Sequence, residues 1–255
     1  MKVVIKVGTS TLAHATGRLN IKRTQDLCRV LSDLKNAGHE VILVSSGAIG
    51  MGVGKLGLRE KPVDIPTKQA AAAVGQCELM YTYDRLFTEH NHTVAQILLT
   101  GADFLAEDRH ENFSNTLSRL LQLGVLPIIN ENDTIATEEI KVGDNDTLSA
   151  LVAVSVQADL LVILSDVDGL YDADPRKNPD AKLIQHVHGT PEQLFPLAGG
   201  VGSNLGTGGM KTKLNAADIC VKNKVDMVIA NGANPDLLYD VVVGKEGNYT
   251  RFFAT

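Results

Sequence analysis

Short apolar runs rich in β-branched residues return along the chain at 3–7, 41–44, 94–99, 125–129, 160–164 and 227–230. Their length and composition suit strands buried on both faces. The segments between them carry helical patterning at about 21–37, 67–90, 109–123, 146–156 and 209–222, with Gly38 and Gly124 as stops. Such alternation restricts the chain to α/β architecture: a three-layer α/β/α sandwich with a mostly parallel central sheet.

The 255 residues are 44% hydrophobic, enough to bury the core of one large α/β domain. No repeat, low-complexity tract or Pro/Ser linker divides them, so a single domain over 1–255 is expected. The net charge is −6 and no Lys/Arg stripe occurs, which argues against a nucleic-acid surface and for small-molecule partners. The chain enters a strand within two residues, without a leader pattern, and has no apolar stretch of spanning length. The expectation is a cytoplasmic protein with no membrane contact. Cys28, Cys77 and Cys220 are odd in number, far apart and without a C-x-x-C spacing, and read as reduced thiols.

In open α/β sheets ligands bind beyond the carboxyl ends of the strands, and the long irregular stretches fall at 45–66, 130–145, 165–182 and 190–208. Lys6 stands inside the first apolar run and is followed by Gly8, Thr9 and Ser10. A buried ammonium is costly unless an anion meets it, and free backbone N–H groups beside it make a phosphate cradle. Ser45, Ser46 and Gly47 open a glycine-rich turn directly after the second run, suited to an anion or equally to a flexible loop. Residues 129–134 and 141–146 crowd Asn130, Glu131, Asn132, Asp133, Asp144, Asn145 and Asp146 into two short loops. Their amides and carboxylates can bind an ammonium group or position lysines, although Asp146 could also simply cap the next helix. Thr207, Gly208, Gly209, Met210, Lys211, Thr212 and Lys213 open a helix with glycines, hydroxyls and two lysines. Lysine at the positive end of a helix is unfavourable without an anion, so the segment reads as a nucleotide-phosphate site.

Several partial patterns lead elsewhere. Residues 52–57 match G-x-G-x-x-G but begin well after the strand, and the P-loop pattern would need Gly at Ile49 and Ser or Thr at Leu56. The close pair His186 and His188 lacks further ligands at metal spacing. The acidic stretch 166–174 lacks the twelve-residue calcium pattern and reads as a loop beside the nucleotide. No permanent metal site is expected.

Together, residues 6–10, 45–49, 130–133, 142–146 and 207–213 resemble the amino acid kinase family, in family order and along nearly the whole chain. They resemble most the branch that phosphorylates the side-chain carboxylate of free L-glutamate with ATP and Mg²⁺, the first step of proline biosynthesis. The resemblance implies that Lys6 and Lys213 contact the transferring phosphoryl group and that Asp146 holds them. It gives Ser46, Asp133 and Asn145 to glutamate, and Lys6, Ser165, Asp166 and residues 207–213 to ATP. It further implies mainly glutamate binding in the N-terminal part and mainly ATP binding in the C-terminal part. A homo-oligomer (dimer or tetramer), feedback inhibition by proline and hand-over of the product to glutamyl phosphate reductase are also implied. Many bacterial members carry a C-terminal PUA domain, and the chain stops at Thr255 without a match to one. A kinase of the same fold acting on another acid or phosphate, and a non-catalytic glutamate or proline sensor, remain as alternatives.

Overall fold

A computed structural model describes residues 1–14, 18–136, 144–175, 177–198 and 209–254. The N-terminal half runs β1 (Lys2–Val7), α1 (Thr9–Leu12), α2 (Ile21–Asn36), β2 (Glu40–Ser45), α3 (Ala48–Lys55), α4 (Ile65–Thr88), β3 (Val94–Leu99), α5 (Gly101–Leu105), α6 (Glu107–Gln122) and β4 (Leu126–Glu131). The second half runs α7 (Asn145–Ser155), β5 (Leu160–Ser165), β6 (His186–His188), a 3-10 helix (Pro191–Ala198), α8 (Met210–Lys222), β7 (Asp226–Asn231), α9 (Leu237–Val242) and β8 (Tyr249–Phe253).

The eight strands form one sheet in the order β3-β4-β2-β1-β5-β7-β8-β6. All neighbours are parallel except β7 and β8. β1 lies inside the sheet, with Val7 opposite Ser45 of β2 and Leu164 of β5 opposite Val7 on the other side. The carboxyl ends of three central strands therefore meet at one level.

Alternation along the strands feeds two apolar layers. Val3, Ile5, Val7, Leu43 and Val162 join α2, α4 and α9 through Leu27, Leu31, Leu79, Tyr83, Phe87 and Leu238. Val4, Ile42, Val44, Leu161 and Ile163 join α6, α7 and α8 through Leu117, Leu148, Val152, Leu214 and Ala217. A sheet covered on both faces needs apolar residues at nearly every strand position, and the runs supply them with few exceptions, of which Lys6 in β1 is one.

Local signals start the helices: Asn20 accepts from the Arg23 amide at 3.2 Å, Asp64 from Thr67 at 2.9 Å and Asp144 from Thr147 at 2.8 Å. The cap of α7 is thus Asp144, which leaves Asp146 free for another role. The stretch 45–66 is less irregular than the sequence implies, because α3 forms there despite its glycines. The reason is packing. A Cβ at Gly52 would lie 1.8 Å from the Ala71 carbonyl oxygen, and one at Gly75 1.7 Å from that of Ala48. α3 and α4 touch backbone to backbone, and this contact outweighs the low helix propensity of glycine.

Candidate active site

The pleat of β1 decides where Lys6 points. Val3, Ile5 and Val7 face α2 and α4, so Lys6 shares the Val4 side, on which α7 and α8 pack. There the first turn of α7 brings Asp146, and the first turn of α8 brings Thr212 and Lys213. Lys6 Nζ lies 2.7 Å from Asp146 Oδ1, and Lys213 Nζ lies 3.1 Å from Oδ2. Thr212 Oγ1 donates to the same Oδ2 at 2.7 Å. All three charged groups are buried: Asp146 is 1% exposed, Lys213 6% and Lys6 8%.

Burial alone would push the Asp146 carboxyl up. The ammonium groups of Lys6 and Lys213, with the hydrogen bond from Thr212, outweigh it and hold the carboxyl well below the usual carboxylate range. One carboxylate between two lysines leaves the cluster with one net positive charge. That charge stands where the α7 and α8 backbones begin, at the positive ends of both helix dipoles. Cations held against such an end are completed by an anion with several oxygens, such as a phosphoryl group.

Beside this cluster lies an amide network on the β2 and β4 side. Ser46 extends the β2 ladder, its amide donating to the Val7 carbonyl at 3.1 Å. Gly47 then turns the chain with φ of 115° and starts α3. Asn145 Nδ2 donates to Ser46 Oγ at 2.7 Å and to Asn130 Oδ1 at 2.9 Å. Asn130 Nδ2 donates to Gln76 Oε1 of α4 at 3.0 Å. Asn145 immediately precedes Asp146, so one helical turn joins the network to the lysine pair. Asp133 lies half-buried in the turn that follows β4.

On the opposite side of β1, Ser165 closes β5, and its hydroxyl donates to Asp166 Oδ1 at 3.2 Å. The Ser165 carbonyl accepts from Gly232 at 2.8 Å, which ties this end to the loop after β7. Asn231 Nδ2 and the Tyr171 hydroxyl both reach Asp168, at 2.8 and 3.2 Å. Gly209 is the N-cap of α8, Met210 is half-buried and Lys211 is exposed. Thr207 and Gly208 lie outside the described residues, as does 141–143.

The structure thus brings Lys6, Asp146, Thr212 and Lys213 into direct contact, joins Ser46 to Asn145, and sets Ser165 and Asp166 at the end of a neighbouring strand. Sequence reasoning had no place for Gln76. Its signal was an amide on the otherwise apolar stripe Ala72, Gly75, Leu79 and Tyr83 of a helix, all buried. Tyr83 itself is fully buried and shares a 2.8 Å hydrogen bond with Ser45 Oγ.

Fold and site together define an α/β/α sandwich that gathers two buried lysines and a hydroxyl around the Asp146 carboxylate at the carboxyl edge of its parallel strands. The model of the amino acid kinase family matches residues 1–231, and the chain belongs to that family. It is 52% identical over 249 residues to a glutamate 5-kinase of Clostridium perfringens, covering 96% of this chain and 93% of the relative. A glutamate 5-kinase of Caldanaerobacter subterraneus subsp. tengcongensis is 54% identical over 246 residues, covering 96% of this chain but 66% of the relative, just under two thirds of its length. Among solved structures, carbamate kinase from Giardia lamblia bound to AMP-PNP superposes with a TM-score of 0.69 at 17% identity, covering 99% of this chain and 98% of that one. At that identity the likeness establishes the fold.

Proposed function

We propose that this chain is an ATP-dependent kinase of the L-glutamate side-chain carboxylate, forming L-glutamyl 5-phosphate at the entry to proline biosynthesis. The observation that carries the reading is the buried Lys6–Asp146–Lys213 cluster, set between the Ser46–Asn145 network on one side and the ends of β5 and β7 on the other. The names of relatives at 52% and 54% identity support the choice of acceptor.

In this reading the β2 and β4 side, with Ser46, Asp133 and Asn145, holds glutamate. The β5 and β7 side, with Ser165, Asp166 and residues 209–213, holds ATP, to which Thr207 and Gly208 also contribute, so one domain carries both substrates. A side-chain carboxylate with an ordinary pKa of about 4.3 is already ionised at neutral pH, so no general base is required. Its oxygen attacks the γ-phosphorus of ATP, the new O–P bond forms as the bond to the β-phosphate oxygen breaks, and ADP leaves without proton transfer. Lys6 and Lys213 neutralise the transferring oxygens, and Asp146 keeps both ammonium groups aimed at one point. Both Asp146 oxygens face lysines, so this carboxylate offers no cation site. Mg²⁺ accompanies the nucleotide phosphates.

Among the described residues no helix is long and apolar enough to cross a membrane; a cytoplasmic location, a dimer or tetramer, inhibition by proline and transfer of the acyl phosphate to a reductase complete the proposal. The test is ADP release with MgATP and L-glutamate, set against L-aspartate, N-acetylglutamate and UMP, with hydroxylamine present to trap an acyl phosphate. Glutamate-dependent ADP with trapped hydroxamate is expected. Turnover only with another acceptor overturns the substrate, and silence with all four overturns the kinase reading in favour of a sensor.

A further inference from the structure

The amide network beside the lysine pair has a polarity that a single backbone group sets. The Glu131 N–H can only donate, and it meets the Asn130 side chain at 2.9 Å, so the atom it meets is Oδ1. Asn130 Nδ2 must then face α4, and its partner there, 3.0 Å away, must be the Gln76 carbonyl oxygen. Asn130 Oδ1 also faces Asn145 at 2.9 Å, so Asn145 presents Nδ2 there. The same Nδ2 lies 2.7 Å from Ser46 Oγ, which therefore accepts. The Glu131 N–H thus fixes Asn130, and Asn130 in turn fixes Gln76 on one side and Asn145, then Ser46, on the other. Asn130 and Gln76 are 2% and 7% exposed, so water does not readily replace a missing partner.

Two groups come out of this ordering with their sense determined. Asn145 has spent Nδ2 on protein partners, which leaves Oδ1 as the acceptor it offers to a ligand. Ser46 Oγ has accepted, which leaves its hydroxyl proton as a donor. A site that offers one acceptor and one donor from adjoining side chains is matched to an ammonium and a carboxylate on the same molecule. We propose that Asn130 is a positioning residue that passes this sense to Asn145 and Ser46, that Gln76 is a positioning residue that anchors its Nδ2, and that the pair so selects an acceptor bearing a free α-amino group over its des-amino analogue. The inference rests on the glutamate-kinase reading and adds to it two residues that need not touch the substrate.

The test compares kcat/KM for L-glutamate with that for glutarate, which has both carboxylates and no ammonium. In Gln76→Met, similar in length but without an acceptor, the buried Asn130 Nδ2 loses its partner, and the amide shifts to find another and no longer aims Oδ1 squarely at Asn145. The glutamate-to-glutarate ratio is then expected to fall about tenfold, carried by KM for glutamate, while KM for MgATP stays at the wild-type value. Gln76→Glu keeps an acceptor facing Asn130 and is expected to retain the ratio to within about threefold. A purely structural Gln76 would lower activity on both acceptors alike, and an unchanged ratio in Gln76→Met overturns the proposal. Should that variant not fold, Asn130→Asp decides. Gln76 can turn to donate to the new carboxylate while the other oxygen still accepts from Glu131 and Asn145, so the ratio is preserved, and its collapse overturns the proposal. Wild-type protein inactive on glutamate overturns the glutamate-kinase reading on which the inference rests, an outcome distinct from active wild type with an unmoved ratio.

Discussion

Replacing Gly75 with alanine places a methyl carbon 1.7 Å from the Ala48 carbonyl oxygen and 2.4 Å from the Gly52 amide nitrogen. Both neighbours are backbone and cannot swing aside, so α3 must lift from α4 by about 1.7 Å before the gap reaches ordinary contact near 3.4 Å. Overpacking of this kind costs about 1–3 kcal/mol, and the rigid neighbours put Gly75→Ala near the upper end. For a chain of this size that lowers Tm by about 6–12 °C. The shift also reaches the site, because α3 begins two residues after Ser46, whose hydroxyl oxygen is held by Asn145 at 2.7 Å. Misplacement by more than an ångström lowers glutamate-dependent turnover by about a hundredfold. Gly54→Ala is the control in the same helix. Nothing lies within 4 Å of its Cβ, so it is expected to gain about 0.5–1 kcal/mol and to leave activity alone. Thermal melts and ADP-release kinetics on the two variants read both effects. A Gly75→Ala protein with wild-type Tm and wild-type KM for glutamate would refute the backbone-contact argument.

Lys213→Ala removes one of the two lysines on Asp146, both proposed to contact the transferring group, and is expected to lower kcat about 10²–10³-fold in the ADP-release assay; near-normal turnover would contradict the proposed role. The Asp146 carboxyl is held below its ordinary value, so its contribution to stability is complete above the unfolded-state pKa of about 3.9 and is lost as pH falls below it. Urea midpoints of the wild type are therefore expected to drop below about pH 4 more steeply than those of Asp146→Asn, and parallel curves would count against the ion cluster as the cause. Cys28 and Cys220 are buried, and burial pushes the Cys220 thiol up to about 12 and Cys28 higher still, whereas Cys77 is exposed. A thiol reagent should label one cysteine per native chain and three after denaturation, and rapid labelling of two or more native thiols would show that the packing is wrong.

The strands were legible because burial on both faces leaves an unmistakable apolar run. Residues 94–99 coincide with β3, and the other five expected strands differ by one or two residues at their ends. Those ends are the informative discrepancy. Asn130 and Glu131 extend β4, Ser165 extends β5 and Asn231 extends β7; polar residues continue the ladder past the apolar run because the site sits there. β8 escaped because its place between β7 and the three-residue edge strand β6 is fixed by contacts such as Arg251 on Asp226 at 2.8 Å rather than by local pattern. α3 escaped because glycine reads as loop until a partner helix is present to accept its bare backbone. In the site, Lys6 announced itself as a charge within an apolar run. Gln76 did not, since an amide at one turn of a long helix gains meaning only from the Asn130 opposite it.

The placement of β1 also sets an order of assembly. It is flanked by β2, close behind it in the chain, and by β5, where the Lys2 amide meets Asp159 across 157 residues. Asp146 cannot collect its second lysine until the chain has run on a further 67 residues. During synthesis from the N-terminus the first strand must therefore wait with one side open, and Lys6 without its counter-charge, until well past the midpoint of the chain. Contacts this distant in sequence slow folding and prolong exposure of an unpaired apolar edge. A slow folding phase tied to docking of β5 and α7 against β1 follows from the same strand order that puts Lys6 and Asp146 at the centre of the sheet.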